Sequence, residues 1–170
     1  MRVCIVLLLI CSALITGCTQ KYFIVRHAEK AQASATMTMN TPNDPPLTDL
    51  GTIRANALAD RLSKEKIRKI FSTNTIRTQS TAQPVALLFN QTISTYTEPD
   101  STFIALLKGL HKNVLVVGHS NTVDDLVNGL TGRKLLSDLP DKAYDNLFIV
   151  RRKGKKISFL QEKFGPPISQ

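Results

Sequence analysis

Short apolar runs rich in β-branched residues recur along this chain, and stretches with helical spacing separate them. That alternation leaves few folds open. Residues 22–25, 69–71 and 113–117 read as buried strands, 93–96 as another, and 146–150 with 157–160 as a closing pair. Between them lie four helical stretches. The first spans 48–64, with Thr48 as N-cap, Asp49 in the first turn, and Ile53, Ala57, Leu58 and Leu62 at helical spacing. The others are 75–89, where Pro84 predicts a break or kink, 101–110, and 121–130 closed by Gly132. Strands separated by helices imply an α/β fold, a three-layer α/β/α sandwich with a mostly parallel central sheet.

The first residues stand outside this pattern. Met1 and Arg2 give a short positive start, and residues 3–15 are almost wholly apolar. That run is short for a membrane span, which needs about 20 residues, but suits a signal-peptide core. It ends in Ile15-Thr16-Gly17-Cys18, which resembles the lipobox of bacterial lipoproteins. The expected organisation is a cleaved signal peptide, 1–17, a lipidated Cys18, and a single domain over 18–170. An uncleaved anchor helix is the alternative. Either places the domain at a membrane surface, as an exported protein of the cell envelope on its periplasmic or outer face. Cys4, Cys11 and Cys18 are the only cysteines, so the mature domain has no disulfide framework, thiol nucleophile or thiolate metal site.

The 22 Lys and Arg against 13 Asp and Glu give a net charge of +9, a field that favours anionic substrates. Part of the excess sits in Arg151-Arg152-Lys153-Gly154-Lys155-Lys156, which looks like a hairpin tip. A solvated turn, anionic lipid contact and nucleic-acid contact all fit such a run. Nothing interleaves basic with aromatic residues, so no nucleic-acid partner is expected. The one long unpatterned stretch, 31–46, reads as a loop bordering a functional site.

Three of the strands run directly into polar residues: 22–25 into Arg26-His27, 69–71 into Ser72-Thr73 and then Arg77, 113–117 into Gly118-His119-Ser120. Open α/β sheets bind ligands outside the C-terminal strand ends. Two of the chain's three histidines and two arginines should therefore converge there. His111, beside a helix C-terminus, carries no such expectation. Arg77 near a helix N-terminus opposes the helix dipole, and a bound phosphate would compensate it.

These residues resemble the histidine phosphatase superfamily, which includes the phosphoglycerate mutases. The likeness runs from Arg26-His27-Ala28-Glu29-Lys30 through Pro45-Pro46-Leu47-Thr48-Asp49-Leu50-Gly51 with Arg54-Ala55. It continues through Ser72-Thr73 with Arg77-Thr78 and Thr81-Ala82 to Gly118-His119-Ser120-Asn121-Thr122. The resemblance implies a phosphoglycerate mutase-like fold. It implies that His27 attacks phosphorus and carries a covalent phosphoryl group, while Arg26, Arg77 and His119 surround the phosphate oxygens. Ser120 and Asn121 would open a helix and add backbone N–H groups to the anion site. Neither a metal nor another cofactor is called for. The general acid is expected at Glu98, with Asp100 or no dedicated acid as the alternatives; Glu29 is nearer His27 in sequence but equally suits a structural role as partner of Lys30 or Arg54. The expected activity is hydrolysis of phosphomonoesters or phosphoanhydrides of small molecules. A mutase returning the phosphoryl group to its substrate and a non-catalytic phosphate-binding module are the alternatives. His27 lies nine positions after Cys18, which points first to phosphorylated molecules near the membrane.

Overall fold

The computed structural model describes residues 19–32 and 44–168. The signal-peptide and lipidation assignments, Cys18 included, and residues 33–43 of the loop 31–46 fall outside the described residues. Six strands form one sheet: β1 Gln20–Arg26, β2 Lys69–Thr73, β3 Ile93–Tyr96, β4 Val114–Gly118, β5 Asn146–Lys153 and β6 Lys156–Lys163. Their order is β3-β2-β4-β1-β5-β6. The first four strands in that order are parallel, and β5 and β6 add an antiparallel margin. The helices are α1 Asp49–Leu62, α2 Ile76–Phe89, α3 Ser101–Gly109 and α4 Val123–Thr131.

Alternate residues of each central strand feed opposite cores, as the two-residue strand period requires. Ile24, Val116 and Phe148 pack with Phe103 and Leu107 of α3 and with Leu126 and Leu130 of α4. Phe23, Val117 and Ile149 pack on the other face with Leu58 and Leu62 of α1 and Val85 of α2. Each fully buried Leu or Phe contributes about 1.5–3 kcal/mol, so both faces hold the sheet in place. The expected three-layer sandwich is the observed one.

Three local expectations need correction. Ile53 is 55 % exposed, and the buried face of α1 turns instead on Arg54, Ala55, Leu58 and Leu62. A buried charge costs several kcal/mol unless fully bonded, and Arg54 is. Its Nε and Nη2 donate to the Glu29 carboxylate (2.7–3.0 Å) and Nη1 donates to the carbonyls of Phe164 and Pro166 (both 2.9 Å). Of the two partners open to Glu29, it takes Arg54. Pro84 does not interrupt α2. The carbonyl it deprives of a partner belongs to half-exposed Ser80, where water can bond it, while Val85 and Ala86 remain buried. Finally, α4 opens at Val123 rather than 121, because the His119 carbonyl accepts from both Thr122 and Val123 in a preceding turn. Ser120 and Asn121 therefore lie ahead of the helix.

Other boundaries match their sequence signals. Thr48 caps α1 by accepting from the Gly51 N–H at 3.0 Å, and Gly132 ends α4 with φ 69°. Gly154, with φ 59°, sits at the β5–β6 hairpin tip. Gly51 has a further reason to be glycine: a Cβ there would lie 2.2 Å from the Glu29 carbonyl oxygen. The start of α1 thus rests directly on the backbone that leaves β1.

Candidate active site

The C-terminal ends of β1, β2 and β4 lie side by side, with Arg26 opposite Gly118 in register and Ser72 opposite Val117. This brings His27, just past β1, next to His119, just past β4. Their ring centroids are 5.4 Å apart. The His27 N–H donates to the Gly118 carbonyl at 2.9 Å, extending the ladder one residue beyond the strand. A histidine held by sheet backbone has little freedom to move.

The His27 ring is 3 % exposed, and its Nδ1 lies 2.8 Å from the Ala28 carbonyl oxygen. A carbonyl oxygen can only accept, so Nδ1 carries the hydrogen and the neutral ring keeps its lone pair on Nε2. Burial, opposed by the Ala28 bond and reinforced by the charges of Arg26, His119 and Arg77, lowers the His27 pKa to about 3. The ring is therefore neutral at ordinary pH, the state a nucleophile requires. His119 is lowered to about 4, chiefly by burial and then by Arg77 and Arg26, with Asp44 opposing. Its Nε2 meets the Thr73 hydroxyl at 2.9 Å, and Thr73 is bonded in turn to Thr78. That chain fixes the ring's orientation.

Both arginines are clamped. Arg26 Nη1 donates to the carbonyls of Pro140 and Asp141, each at 2.9 Å, and its guanidinium lies 4.4 Å from the centre of the Tyr144 ring. Arg77 Nη1 donates to the Asp44 carboxylate at 3.0 Å. Each retains a buried Nε with no partner among the described residues. Two unspent guanidinium donors beside a pair of neutral histidines suit a tetrahedral oxyanion. Among the described residues no group of three or more His, Cys, Asp or Glu could hold a metal ion.

Sequence reasoning missed Asp44 and Tyr144. Asp44 accepts the Ile76 N–H at 2.8 Å as well as the Arg77 contact, so it caps α2 where Thr75 makes no side-chain cap bond. A carboxylate thus occupies the helix end that the sequence left for an anion. The signal is absent locally, because Asp44 and Ile76 are 32 positions apart. Tyr144, 5.9 Å from the His27 ring, arrives on the segment between α4 and β5 and likewise has no sequence mark.

The two carboxylates expected as acids follow β3. Asp100 caps α3, accepting from the Phe103 N–H at 2.8 Å. Glu98 lines a surface groove with Thr95, Tyr96 and Phe103 that none of His27, Arg26, Arg77 or His119 borders. Ser120 lies in the turn after β4, where its carbonyl accepts from the Leu139 N–H at 2.9 Å; Asn121 is exposed beside it.

Residues 22–100 match the sequence model of the histidine phosphatase superfamily (branch 1). That stretch carries His27 and both arginines. Among solved structures the fold is similar to SixA from Agrobacterium tumefaciens, named for phosphohistidine phosphatase activity. The TM-score is 0.62 at 22 % identity, over 86 % of this chain and 98 % of that one. A SixA structure complexed with tungstate gives 0.62 at 22 % identity, over 84 % and 96 %. A mycobacterial glucosyl-3-phosphoglycerate phosphatase gives 0.57 at 14 % identity, over 88 % and 100 %. No curated protein matches the sequence. Identities this low speak to fold, and the fold is theirs. Residues 22–100 are thus similar in sequence to the histidine phosphatase superfamily, and the fold, with its paired histidines at the sheet edge, is that of these solved phosphatases.

Proposed function

We propose that this chain is a phosphatase that hydrolyses phosphomonoesters or phosphoanhydrides through a phosphohistidine on His27. The observation that carries this is the Nδ1 bond to the Ala28 carbonyl, which leaves Nε2 as the attacking atom between Arg26, Arg77 and His119. In the first step the Nε2 lone pair forms the N–P bond, the bond from phosphorus to the leaving oxygen breaks, and that oxygen gains a proton. In the second, water attacks phosphorus, the P–N bond breaks, and inorganic phosphate leaves. The two arginines and His119 bind the phosphate oxygens and offset charge in both steps, with the N–H groups of Ser120 and Asn121 beside them. Return of the phosphoryl group to substrate would make a mutase, and release of inorganic phosphate separates the two.

The proton donor in this scheme is Glu98 or Asp44. Asp44 is the carboxylate whose charge reaches His119, and it lies against Arg77 Nη1 at 3.0 Å. In the full-length chain held in non-ionic detergent, Glu98→Gln and Asp44→Asn should separate by leaving group. Loss of the donor costs little with p-nitrophenyl phosphate and about a hundredfold or more with an alkyl phosphate. A variant equally impaired on both substrates is not the donor. One structural neighbour is named a phosphohistidine phosphatase and another a protein histidine phosphatase. A P–N substrate is therefore the second reading, and faster release from phosphohistidine than from any ester in the same assay supports it.

The domain is further proposed to be exported and held in the cell envelope by a lipid on Cys18. The apolar run and the Gly17-Cys18 junction support this. Among the described residues no helix is long and apolar enough to cross a membrane.

A further inference from the structure

The edge of the sheet opposite the active site gathers the chain's basic residues. β1 enters there at Gln20, which is in register with Arg152, and Lys21 is in register with Arg151. Hydrogen bonds tie the same edge together. The Lys21 N–H donates to Asn113 Oδ1, the Arg68 N–H to the Asn113 carbonyl, the Gln20 side chain to the Leu107 carbonyl, and Arg152 Nη1 to the Lys108 carbonyl.

Three neighbouring segments therefore share one surface. The turn after α1 and the start of β2 bring Lys64, Lys66, Arg68 and Lys69; the end of α3 and the turn after it bring Lys108 and Lys112; the hairpin brings residues 151–156. With Lys21 these are more than half of the chain's 22 Lys and Arg. Against them stand Asp60 and Glu65, and Glu65 is already paired with Lys21 at 2.6 Å and Arg61 at 3.6 Å. Arg151, Lys153, Lys155 and Lys156 are exposed and form no ion pair among the described residues. The catalytic edge is mixed, with Asp44, Asp49, Glu98, Asp100, Asp124 and Asp141 standing beside Arg26, Lys30, Arg77 and Lys142. The molecule is electrically polarised along the direction of its strands.

The segment before Gln20 decides the partner. The apolar run 3–15 ends only a few residues before the chain enters the sheet at this basic edge. We propose that the edge formed by the hairpin tip and the turns after α1 and α3 docks on an anionic lipid surface, with the active site facing away from it. Each basic residue near such a surface raises partition about fivefold, which is the worth of roughly 1 kcal/mol. The 7 residues of β1 then act as a spacer of about 20 Å. His27 is close to Cys18 in sequence but at the far side of the domain, so substrate reaches it from the aqueous side and need not be a membrane component.

The chain contains no tryptophan, so single tryptophans report position. Full-length chains carrying Lys155→Trp at the hairpin tip or Leu50→Trp at the catalytic edge are reconstituted in phosphatidylcholine vesicles with spin-labelled lipid, with and without phosphatidylglycerol. In the anionic vesicles quenching at position 155 should exceed that at position 50 several-fold. It should fall when Arg151, Lys153 and Lys156 are also changed to Gln, and in about 1 M salt, where screening reaches only about 3 Å. Lys112→Trp, on a different segment of the same edge, should follow position 155. Equal quenching at both edges, or quenching indifferent to phosphatidylglycerol, overturns the proposal. So does release of position 155 by a single-stranded RNA when lipid phosphate is in excess, which would mark a nucleic-acid surface instead.

Discussion

Replacing His27 with alanine is expected to lower kcat on an aryl phosphate by about four orders of magnitude or more, as loss of a covalent nucleophile does. Phosphate affinity should change far less. Arg26 keeps its clamp of Pro140 and Asp141 carbonyls and the Tyr144 face, and Arg77 keeps its place at the start of α2. The fold should survive, because the His27 backbone bond to Gly118 does not depend on the side chain. Phosphate release measured beside calorimetric phosphate binding checks both halves. A variant that binds phosphate but turns over like the wild type would remove His27 from the chemistry.

The second large effect is on stability in acid. An unfolded histidine titrates near 6.5, whereas His27 in the fold titrates at about 3 and His119 at about 4. As pH falls below 6.5, the unfolded chain takes up protons that the folded chain refuses. Stability from these groups is therefore complete above about pH 7 and is lost progressively toward pH 3–4. For His27, almost wholly buried, the loss is on the order of 4 kcal/mol; half-buried His119 adds less. Carboxylates also titrate in this range, so the comparison is with His27→Gln, which has nothing to protonate. Urea unfolding of the full-length protein between pH 4 and 8 should show a steeper fall for wild type than for the variant. Parallel profiles would mean that His27 is not held neutral by its surroundings.

Much of this site was legible because its residues sit one or two positions past strands whose apolar composition is unmistakable. Tyr22, Phe23, Ile24 and Val25 can hardly be anything but a buried strand, and the next two residues, Arg26 and His27, then fall at the sheet edge. The same holds for Val114 to Val117 and His119. Helix faces were less secure. Arg54 rather than Ile53 points inward, because Glu29 and two carbonyls of the C-terminal tail wait for it there, and no local period encodes those partners. Asp44 and Tyr144 were invisible for the same reason: each reaches its arginine across a long sequence separation. The basic run 151–156 was legible as a hairpin tip. That it lies beside Gln20, with Lys66 and Lys112 for neighbours, emerges only from strand register.

The mechanism turns on a covalent phosphoryl group on His27. A direct test mixes the full-length protein with a phosphate ester, quenches within a single turnover in base, and locates the adduct by mass spectrometry. A phosphoryl group is expected on the peptide containing Arg26-His27-Ala28, stable in base, lost in acid, and absent from His27→Ala. Turnover with no adduct at any quench time, or an adduct on His119 with His27 unmodified, would refute the covalent step on His27.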